Sequence, residues 1–498
     1  MELLYSICAL SLILCLLTKA HLFQTHGGTG KIPLANGTGS FLAKLRARTQ
    51  FIKNSKEILS KARDRYSGQP FRLLTDWGEL LILPPAFADE IRNDDRLSFA
   101  KAATKDNHAG IPGFETIHLI GKTDQPVQVV ARRYLTQRLI KLNFGDSTDW
   151  KEIHIKPAIA DIVARISSRI QLGEELCRND EWLRITKTYT ATFYTATTNL
   201  RAFPNAIRFL VHWFQPDCQK LRLELEKARR IIQPLINQRR KLRQKAVEAG
   251  QSSPLFNDSI DWADQQAAIA GSQFDPVVFQ LTLSLLSIHT TYDLLQQTMI
   301  ELVCHPRYIE EIRQEVVQIL ISEGWKKTSL AKMKLLDSAI KEAQRLKPGS
   351  IVTMRRYVEE DLILSNGLIL KKGTRLNIDN SRMMDPEIYP DPHVYNPHRF
   401  LEMREKAGTE HMAHLVSTSS THLGFGHGKH ACPGRFFAAN EIKVALCHIV
   451  VKYDWKLVPG TDVEPDTRGM VSKSSPETTM LVRLRADPEL DLSSLGAE

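Results

Sequence analysis

The residues best suited to chemistry lie near the carboxyl end, where ten consecutive positions from Phe425 to Gly434 read Phe-Gly-His-Gly-Lys-His-Ala-Cys-Pro-Gly. They present a single cysteine, Cys432, on a glycine-containing loop that opens into an apolar helix. Cysteine binds a metal ion as the thiolate, which nearby cations and a helix N-terminus favour. Pro433 suits the first helical position, and Gly434 leaves a backbone donor free near the sulfur. This arrangement suits a thiolate bound to haem iron.

Three other residues of the same loop also suit a site for a haem thiolate. Phe425 can shield the sulfur, Gly428 permits a tight turn, and His430 can donate a hydrogen bond to a haem propionate. The alternative interpretation is a buried free cysteine with glycines nearby by chance. Two further motifs argue against that alternative.

The first of these motifs pairs Glu342 with Arg345 on one face of a predicted helix. A second arginine, Arg399, follows downstream in a Pro-His-Arg-Phe segment. A lone pair at this spacing is most often a surface ion pair worth less than about 1 kcal/mol. A buried network of these charges would be tolerable only if every member were paired, so the loss of one member would unfold the region.

The second motif is a long apolar helix, predicted from Asp275 as its N-cap, through Pro276, to about Cys304. Its apolar residues cannot share one stripe, which predicts a central buried helix. The middle reads Ser-Ile-His-Thr-Thr from Ser287 to Thr291, and polar side chains in such a helix need partners. At least one of them should face a cavity with water. The alternative is that the hydroxyls bond back to the preceding turn and that the histidine is a satisfied core residue.

These motifs, in this order, resemble the cytochrome P450 superfamily. The cysteine loop matches the family pattern at every position except the basic one, where His430 replaces the commoner arginine. The resemblance implies a mainly α fold with a small β region, built as one large haem domain. It also implies haem b (iron protoporphyrin IX) with Cys432 as axial ligand, and a buried triad of Glu342, Arg345 and Arg399.

The family's long helix crosses over the haem, and the resemblance implies that Thr290 hydrogen-bonds dioxygen. The family usually has a glycine three residues before this threonine and an acid directly before it, whereas this chain has Ser287 and His289. Proton delivery would then fall to His289, through its ring or a bound water. Haem propionates would be bound by Arg355 or Arg356, which spacing does not distinguish, and by Arg132 or Arg133 on a predicted helix from 127 to 142.

The N-terminus is predicted to be a membrane anchor. Residues 3–18 carry no charge. This uncharged segment is slightly shorter than the span of about 20 residues that crosses a membrane, so a cleaved signal peptide is the alternative. Lys19 and Lys31 follow this segment, and the positive-inside tendency places the body in the cytosol. We expect an anchor at 1–24, a hinge at 25–40 and a haem domain at 41–498, on a single-pass protein of the endoplasmic reticulum membrane. Seven scattered cysteines suggest reduced thiols.

The formal net charge of +10 suggests an acidic partner or an anionic membrane surface. The basic run at 238–245 has no interleaved aromatic residues, so we expect no nucleic-acid binding. The resemblance implies electrons from NADPH–cytochrome P450 reductase, with cytochrome b5 as an optional second partner, since the chain has no nucleotide-binding fingerprint. The candidate partner-facing cations are Lys429, Arg435, Lys443, Arg132, Arg133 and Arg138.

Three segments, at 90–99, 109–115 and 287–291, resemble filamentous-fungal P450s of secondary metabolism that oxidise diterpenoid, indole-diterpenoid and meroterpenoid skeletons. The expected function is therefore oxidation of a hydrophobic terpenoid-type intermediate by a monooxygenase that uses O2. Two alternatives remain. One is a P450 that rearranges or dehydrates its substrate without net oxygen insertion, which the missing acid beside Thr290 keeps open. The other is a non-catalytic haem-binding protein.

Overall fold

Helices dominate the computed structural model, which describes residues 32–37, 41–120, 144, 147–256, 258–271 and 273–492. The α-helices of the described residues are α1 (Phe41–Arg65), α2 (Ala88–Ile91), α3 (Phe99–Asp106), α4 (Glu115–Ile120), α5 (Ile155–Leu176), α6 (Asp180–Arg201), α7 (Asn205–Phe214), α8 (Pro216–Glu248), α9 (Ser259–Ala270), α10 (Pro276–Cys304), α11 (Arg307–Glu323), α12 (Lys327–Lys332), α13 (Lys334–Leu346), α14 (Arg399–Glu405) and α15 (Arg435–Lys452).

The strands are short and form four small sheets. They are β1 (Phe71–Thr75), β2 (Gly78–Leu83), β3 (Leu97–Ser98), β4 (Lys151–His154), β5 (Val352–Val358), β6 (Leu362–Ile363), β7 (Ile369–Leu370), β8 (Arg375–Asp379), β9 (Tyr453–Leu457), β10 (Asp466–Arg468), β11 (Val471–Lys473) and β12 (Thr479–Leu484). The largest sheet has the order β1-β2-β8-β5-β3, and only its β2–β8 pair is parallel. A second sheet has the order β4-β12-β9, and β6–β7 and β10–β11 are separate hairpins. The turn around Asn366 joins the two strands of the β6–β7 hairpin.

The central helix α10 has the bounds that its sequence predicts. The Asp275 carboxylate accepts hydrogen bonds from the backbone N–H of Val277 at 2.8 Å and of Val278 at 3.3 Å, and Pro276 occupies the first turn. These contacts give partners to backbone N–H groups of the first turn that have none within the helix. Buried residues lie on all sides of α10, which packs on α5, α6, α13 and α15.

The main hydrophobic core joins the elements that carry the chemical motifs. Its largest buried cluster includes side chains of α5, the second half of α10, α13 and α15. A second cluster joins α6 and α8 to the first half of α10. The cysteine loop before α15 and the middle of α10 are therefore attached to one continuous packed interior.

The described part of the predicted hinge, residues 32–37, is hydrogen-bonded to β1. Ala35 donates to the Arg72 carbonyl at 2.9 Å, and the Asn36 side chain exchanges hydrogen bonds with the Leu74 backbone at 2.8 and 2.9 Å. Within the described residues, none of the helices is both long and apolar enough to cross a membrane. The predicted anchor at 1–24 and the predicted helix at 127–142, with Arg132, Arg133 and Arg138, lie outside the described residues.

Candidate active site

The cysteine loop is held in shape by its glycines and by its contact with the residues that follow α2. The backbone N–H of Cys432 donates to the Phe425 carbonyl at 2.8 Å, which closes the loop. Gly426 and Gly428 have φ values of 70° and 77°, in the left-handed region. A Cβ at Gly428 would lie 2.6 Å from the carbonyl oxygen of Arg92. Glycine is therefore required there by conformation and by space.

His427 anchors this loop, a role that the sequence did not reveal. Its Nε2 atom lies 3.0 Å from the Asp89 carboxylate and 3.0 Å from the Arg92 guanidinium, and its Nδ1 atom lies 3.3 Å from the Thr418 hydroxyl. Asp89 is 338 positions away along the chain. No local pattern could have identified that partner.

The Cys432 side chain faces the interior of the protein. Burial raises the pKa of its thiol, and the backbone N–H of Gly434 opposes that shift, followed by the charge of Arg435. Helix α15 begins at Arg435 with Gly434 as its N-cap, so the expectation that Pro433 starts the helix is wrong. Pro433 and Gly434 instead form a turn, which brings the Gly434 N–H toward the sulfur.

Two side chains at the cysteine loop carry buried nitrogen atoms without partners among the described residues. The Nε and Nη2 atoms of Arg356 and the Nε2 atom of His430 are buried and have no hydrogen-bond partner among the described residues. Burial lowers the pKa of His430 to about 4, and the nearby charge of Arg356 contributes to that shift. An unpaired buried donor costs about 1–3 kcal/mol. A carboxylate at this place would accept hydrogen bonds from Arg356, and also from His430 where its Nε2 atom carries the proton, and a haem propionate supplies such a carboxylate.

Arg355 and Arg356 are adjacent in sequence but have different surroundings, because β5 contains an irregularity. Its register with β8 shifts between Thr353 and Arg356, and Met354 has a φ of 50°. The Arg355 Nη1 atom lies 3.4 Å from the Asp106 carboxylate. Of the two candidates, Arg356 is the one whose unpaired donors fit a propionate.

The middle of α10 exposes one short face in an otherwise buried helix. Leu286 is 40% exposed, and Thr290, one turn later, is also exposed. Since α10 runs through the core, this exposure is to an internal cavity. The Thr290 hydroxyl donates to the Leu286 carbonyl at 3.0 Å, which is the bond back to the preceding turn that the alternative interpretation anticipates. Thr290 nevertheless lines the cavity.

His289 and Ser287, which replace the acid and the glycine usual in the family, both have hydrogen-bond partners. The Nδ1 atom of His289 lies 2.8 Å from the Tyr292 hydroxyl, and burial lowers the pKa of His289 to about 4. The Ser287 hydroxyl accepts a hydrogen bond from the Gln171 amide of α5 at 3.1 Å. His289 is therefore neutral at neutral pH, with one ring nitrogen already bonded.

The three charged residues of the triad are brought together in the core. The Arg345 guanidinium makes two hydrogen bonds to the Glu342 carboxylate, at 2.8 and 2.9 Å, and Arg399 adds a third at 3.0 Å. Both arginines also donate to backbone carbonyls, of Met383 at 2.7 Å and Pro390 at 2.6 Å. The network is buried, and each of its three charged groups is hydrogen-bonded.

The candidate partner-facing cations of the loop region are not all free surface charges. Lys443 is buried, ion-paired with Asp337, and donates to a backbone carbonyl at 3.0 Å, so its assignment to a partner surface is wrong. Lys429 forms an ion pair with Asp95. Arg435 donates to the Cys432 carbonyl at 2.9 Å. These contacts tie the loop to its neighbours.

This donor set fits a haem. A buried thiol lies at the loop, unpaired nitrogen atoms suited to a propionate lie beside it on Arg356 and His430, and a helix with an exposed threonine lines a cavity. The expected site residues Phe425, Gly428 and Gly434 shape the loop that presents the thiol.

The comparisons with known proteins agree with this geometry. The sequence model of the family described as Cytochrome P450 matches residues 130–482, more than half of the chain. Cytochrome P450 monooxygenase 2 of Gibberella fujikuroi is 62% identical over 466 residues, which cover 93% of this chain and 91% of that protein. Cytochrome P450 monooxygenase hepE of Aspergillus oryzae is 41% identical over 471 residues, covering 91% and 86%.

A solved structure has the same fold. Cyanobacterial CYP120A1 with retinoic acid bound superimposes with a TM-score of 0.58 at 17% sequence identity, covering 88% of this chain and 96% of that one. The mainly helical architecture with small sheets is therefore confirmed.

Proposed function

Because this chain belongs to the cytochrome P450 family and is a cysteine-ligated haem monooxygenase, we propose that it oxidises a hydrophobic terpenoid-type intermediate of fungal secondary metabolism. Its electrons come from an NADPH–cytochrome P450 reductase, with cytochrome b5 as an optional second donor. The observation that carries this proposal is the internal face of α10, where Leu286 and Thr290 line a cavity inside the hydrophobic core. The three segments that resemble fungal terpenoid-oxidising P450s support the substrate class.

The roles of the residues follow from their positions. When bound, the haem supplies the activation of dioxygen with electrons from the reductase. Cys432 would bind the haem iron through its sulfur, and Arg356 and His430 would hold a propionate. Leu286 presents an apolar surface to the substrate. Thr290 presents a hydroxyl at the same face and can hold a proton near the reacting oxygen.

The terpenoid substrate is tested by incubating membranes that contain this enzyme and a reductase with a panel of fungal terpenoids under oxygen-18. We expect a product that carries one labelled oxygen. A product without the label would instead identify the rearranging or dehydrating class, which the absence of an acid before Thr290 favours as the second candidate. No product from any terpenoid, in a preparation with a normal carbon monoxide spectrum, would contradict the substrate class.

Thr290→Ala is expected to leave haem content near normal and to raise the peroxide released per NADPH several-fold, at the expense of product. The reason is that a hydroxyl facing the cavity is lost while electron transfer continues. The measurement is peroxide and product yield per NADPH. Thr298→Ala is a matched control, because Thr298 makes the same bond to the preceding turn, at 2.8 Å, but is buried.

His289→Phe separates proton delivery from packing, because the phenyl ring keeps its place beside Tyr292 but makes no hydrogen bond. If His289 delivers protons, the variant shows the peroxide yield of Thr290→Ala. If it is a core residue, stability falls by about 1 kcal/mol and coupling is unchanged. The pKa of about 4 keeps the ring neutral, so we expect the wild-type peroxide yield not to titrate near pH 6.5. Normal coupling in both folded variants would favour the rearranging class.

The proposed location is the endoplasmic reticulum membrane, with the haem domain in the cytosol. Besides the uncharged segment at 3–18, helix α7 supports membrane contact. Its exposed apolar side chains include Phe209, Leu210, Trp213 and Phe214, the last of them 81% exposed. An exposed apolar patch on a short helix is typical of an interfacial membrane contact.

Removal of residues 1–24 is expected to release only part of the protein from membranes, without loss of the haem site. Changing Phe209, Trp213 and Phe214 to serine in the truncated protein should complete the release, because their apolar area would no longer enter the interface. The measurement is flotation with liposomes. Ile321→Ser is the control, since Ile321 is an exposed apolar residue of α11. Full release by truncation alone would contradict the role of α7, and tight binding of the combined variant would require a different surface.

A further inference from the structure

Lys473 of β11 is a charged side chain that lies beside an aromatic ring of α6. Its Nζ atom lies 5.4 Å from the centre of the Tyr194 ring. Tyr194 is 44% exposed on α6, yet it lies deep in the protein, where burial raises the pKa of its hydroxyl. The exposure is therefore to the cavity. The next residue, Ser474, is hydrogen-bonded to Asp293 of α10 at 2.8 and 2.7 Å, so Lys473 lies beside α10.

Lys473 has no ion-pair partner in the part of the chain that the structure describes. The nearby carboxylate of Asp293 is occupied by the backbone N–H of Ser474 at 2.8 Å and by its hydroxyl at 2.7 Å. Burial also raises the pKa of Asp293, which weakens it as a counter-charge. The Tyr194 hydroxyl likewise has no hydrogen-bond partner among the described residues. The ammonium of Lys473 and the hydroxyl of Tyr194 are thus two neighbouring donors that make no ion pair or hydrogen bond within the described part of the chain.

On the other side of Tyr194, positive charges again outnumber negative ones. Arg355 acts on the Tyr194 hydroxyl. It shares the Asp106 carboxylate with Arg375, at 3.4 and 2.7 Å, and Arg201 donates to the Asp106 backbone carbonyl at 2.6 Å. The Asp106 carboxylate therefore pairs with two guanidinium groups, and the guanidinium of Arg201 lies beside it.

Burial and nearby positive charges both lower the pKa of a neighbouring histidine, His108. Burial lowers the pKa of His108 to about 4, and the charges of Arg208 and Arg201 lower it further. The Asp76 carboxylate, 3.9 Å from Arg201, is the other acid of this region, and burial raises its pKa. In this region, guanidinium groups therefore outnumber carboxylates among the described residues, and the local field beside Tyr194 is positive.

We propose that Lys473 and the Tyr194 hydroxyl bind a carboxylate of the substrate, with Arg355 adding to the attraction. This proposal rests on the proposed function and narrows its substrate class to terpenoid acids, as opposed to neutral hydrocarbons or alcohols. An ammonium and a phenol suit a carboxylate, and charge-assisted hydrogen bonds are strong away from water. Because the contact fixes one end of an apolar molecule, it determines which carbon is presented for oxidation.

The test uses probes that bind whatever skeleton the natural substrate has. These are alkanoic acids from hexanoic to dodecanoic with a terminal imidazole, and the matching alcohols. The imidazole binds the haem iron and shifts the Soret band, so a spectral titration of the holoenzyme gives Kd. We expect the acid to bind about tenfold more tightly than the alcohol at the best chain length, or better.

Lys473→Met is expected to remove the preference for the acid and leave the Kd of the alcohol unchanged, because methionine keeps an apolar chain over Tyr194. Tyr194→Phe should reduce the preference by a smaller factor. Lys456→Met is the matched control, since Lys456 lies over the ring of Trp150 at 4.5 Å on β9. That variant should keep the full preference.

Equal affinity of acid and alcohol at every chain length would overturn the carboxylate site, as would a preference that survives in Lys473→Met. Failure of all the probes to shift the Soret band would overturn the accessible cavity on which the site depends. Failure of the terpenoid panel is distinguishable from these outcomes, because it leaves the ratio of the two affinities unchanged.

Discussion

Cys432→Ala is expected to abolish both the red-shifted Soret band of the reduced carbon monoxide complex and all monooxygenase activity. The physical reason is that the thiolate is the only protein ligand to the iron in this family, and alanine offers no donor. The measurement is the carbon monoxide difference spectrum of purified protein.

Cys218→Ala and Cys304→Ala are the matched controls for that experiment. Cys218 also lies in the first turn of a helix, but its thiol donates to Gln215 at 3.1 Å and burial raises its pKa to about 11. Cys304 is exposed at the end of α10. Both variants should keep the band. A red-shifted band in Cys432→Ala would show that another residue is the ligand.

Glu342→Ala is expected to prevent recovery of folded haem protein, the second large effect. It leaves the guanidinium groups of Arg345 and Arg399 buried without their shared carboxylate. Breaking a buried network in this way costs about 3–5 kcal/mol. That is a large part of the total stability of a domain, typically about 5–15 kcal/mol. The measurements are the yield of protein with the carbon monoxide band and the temperature of unfolding.

A graded variant and a surface control make this second result interpretable. Glu342→Gln keeps an oxygen acceptor but removes the charge, so we expect a folded protein of reduced stability. Glu57→Ala removes an exposed pair with Lys61, 2.6 Å apart, and should change stability by less than about 1 kcal/mol. A Glu342→Ala protein that unfolds within a few degrees of the wild type would show that the triad is not essential to folding.

The sequence determined those features whose causes are local. The bounds of α10 follow from a capping aspartate, a proline in the first turn and apolar residues on all sides, and the structure has the same bounds. Gly428 predicts a tight turn shortly before Cys432, and the structure has Gly428 in the left-handed region at a φ of 77°. Glu342 and Arg345 are one helical turn apart, so their contact needs no distant residue. These signals were sufficient to identify the family.

The tertiary structure decided those features that depend on partners far along the chain. Arg355 and Arg356 could not be distinguished by spacing, because the irregularity that separates them arises where β5 pairs with β8. Lys443 has the residue type of a surface cation, but α15 places it against Asp337 in the core.

The cavity shows the same dependence on distant partners. Lys473 and Tyr194 meet only because β11 and α6 both approach α10. Sequence patterns report which face of one element is apolar, but they do not report which charged side chains of other elements will share a cavity, or whether those charges will be balanced. The positive field that suggests an acidic substrate is therefore a property of the assembled fold.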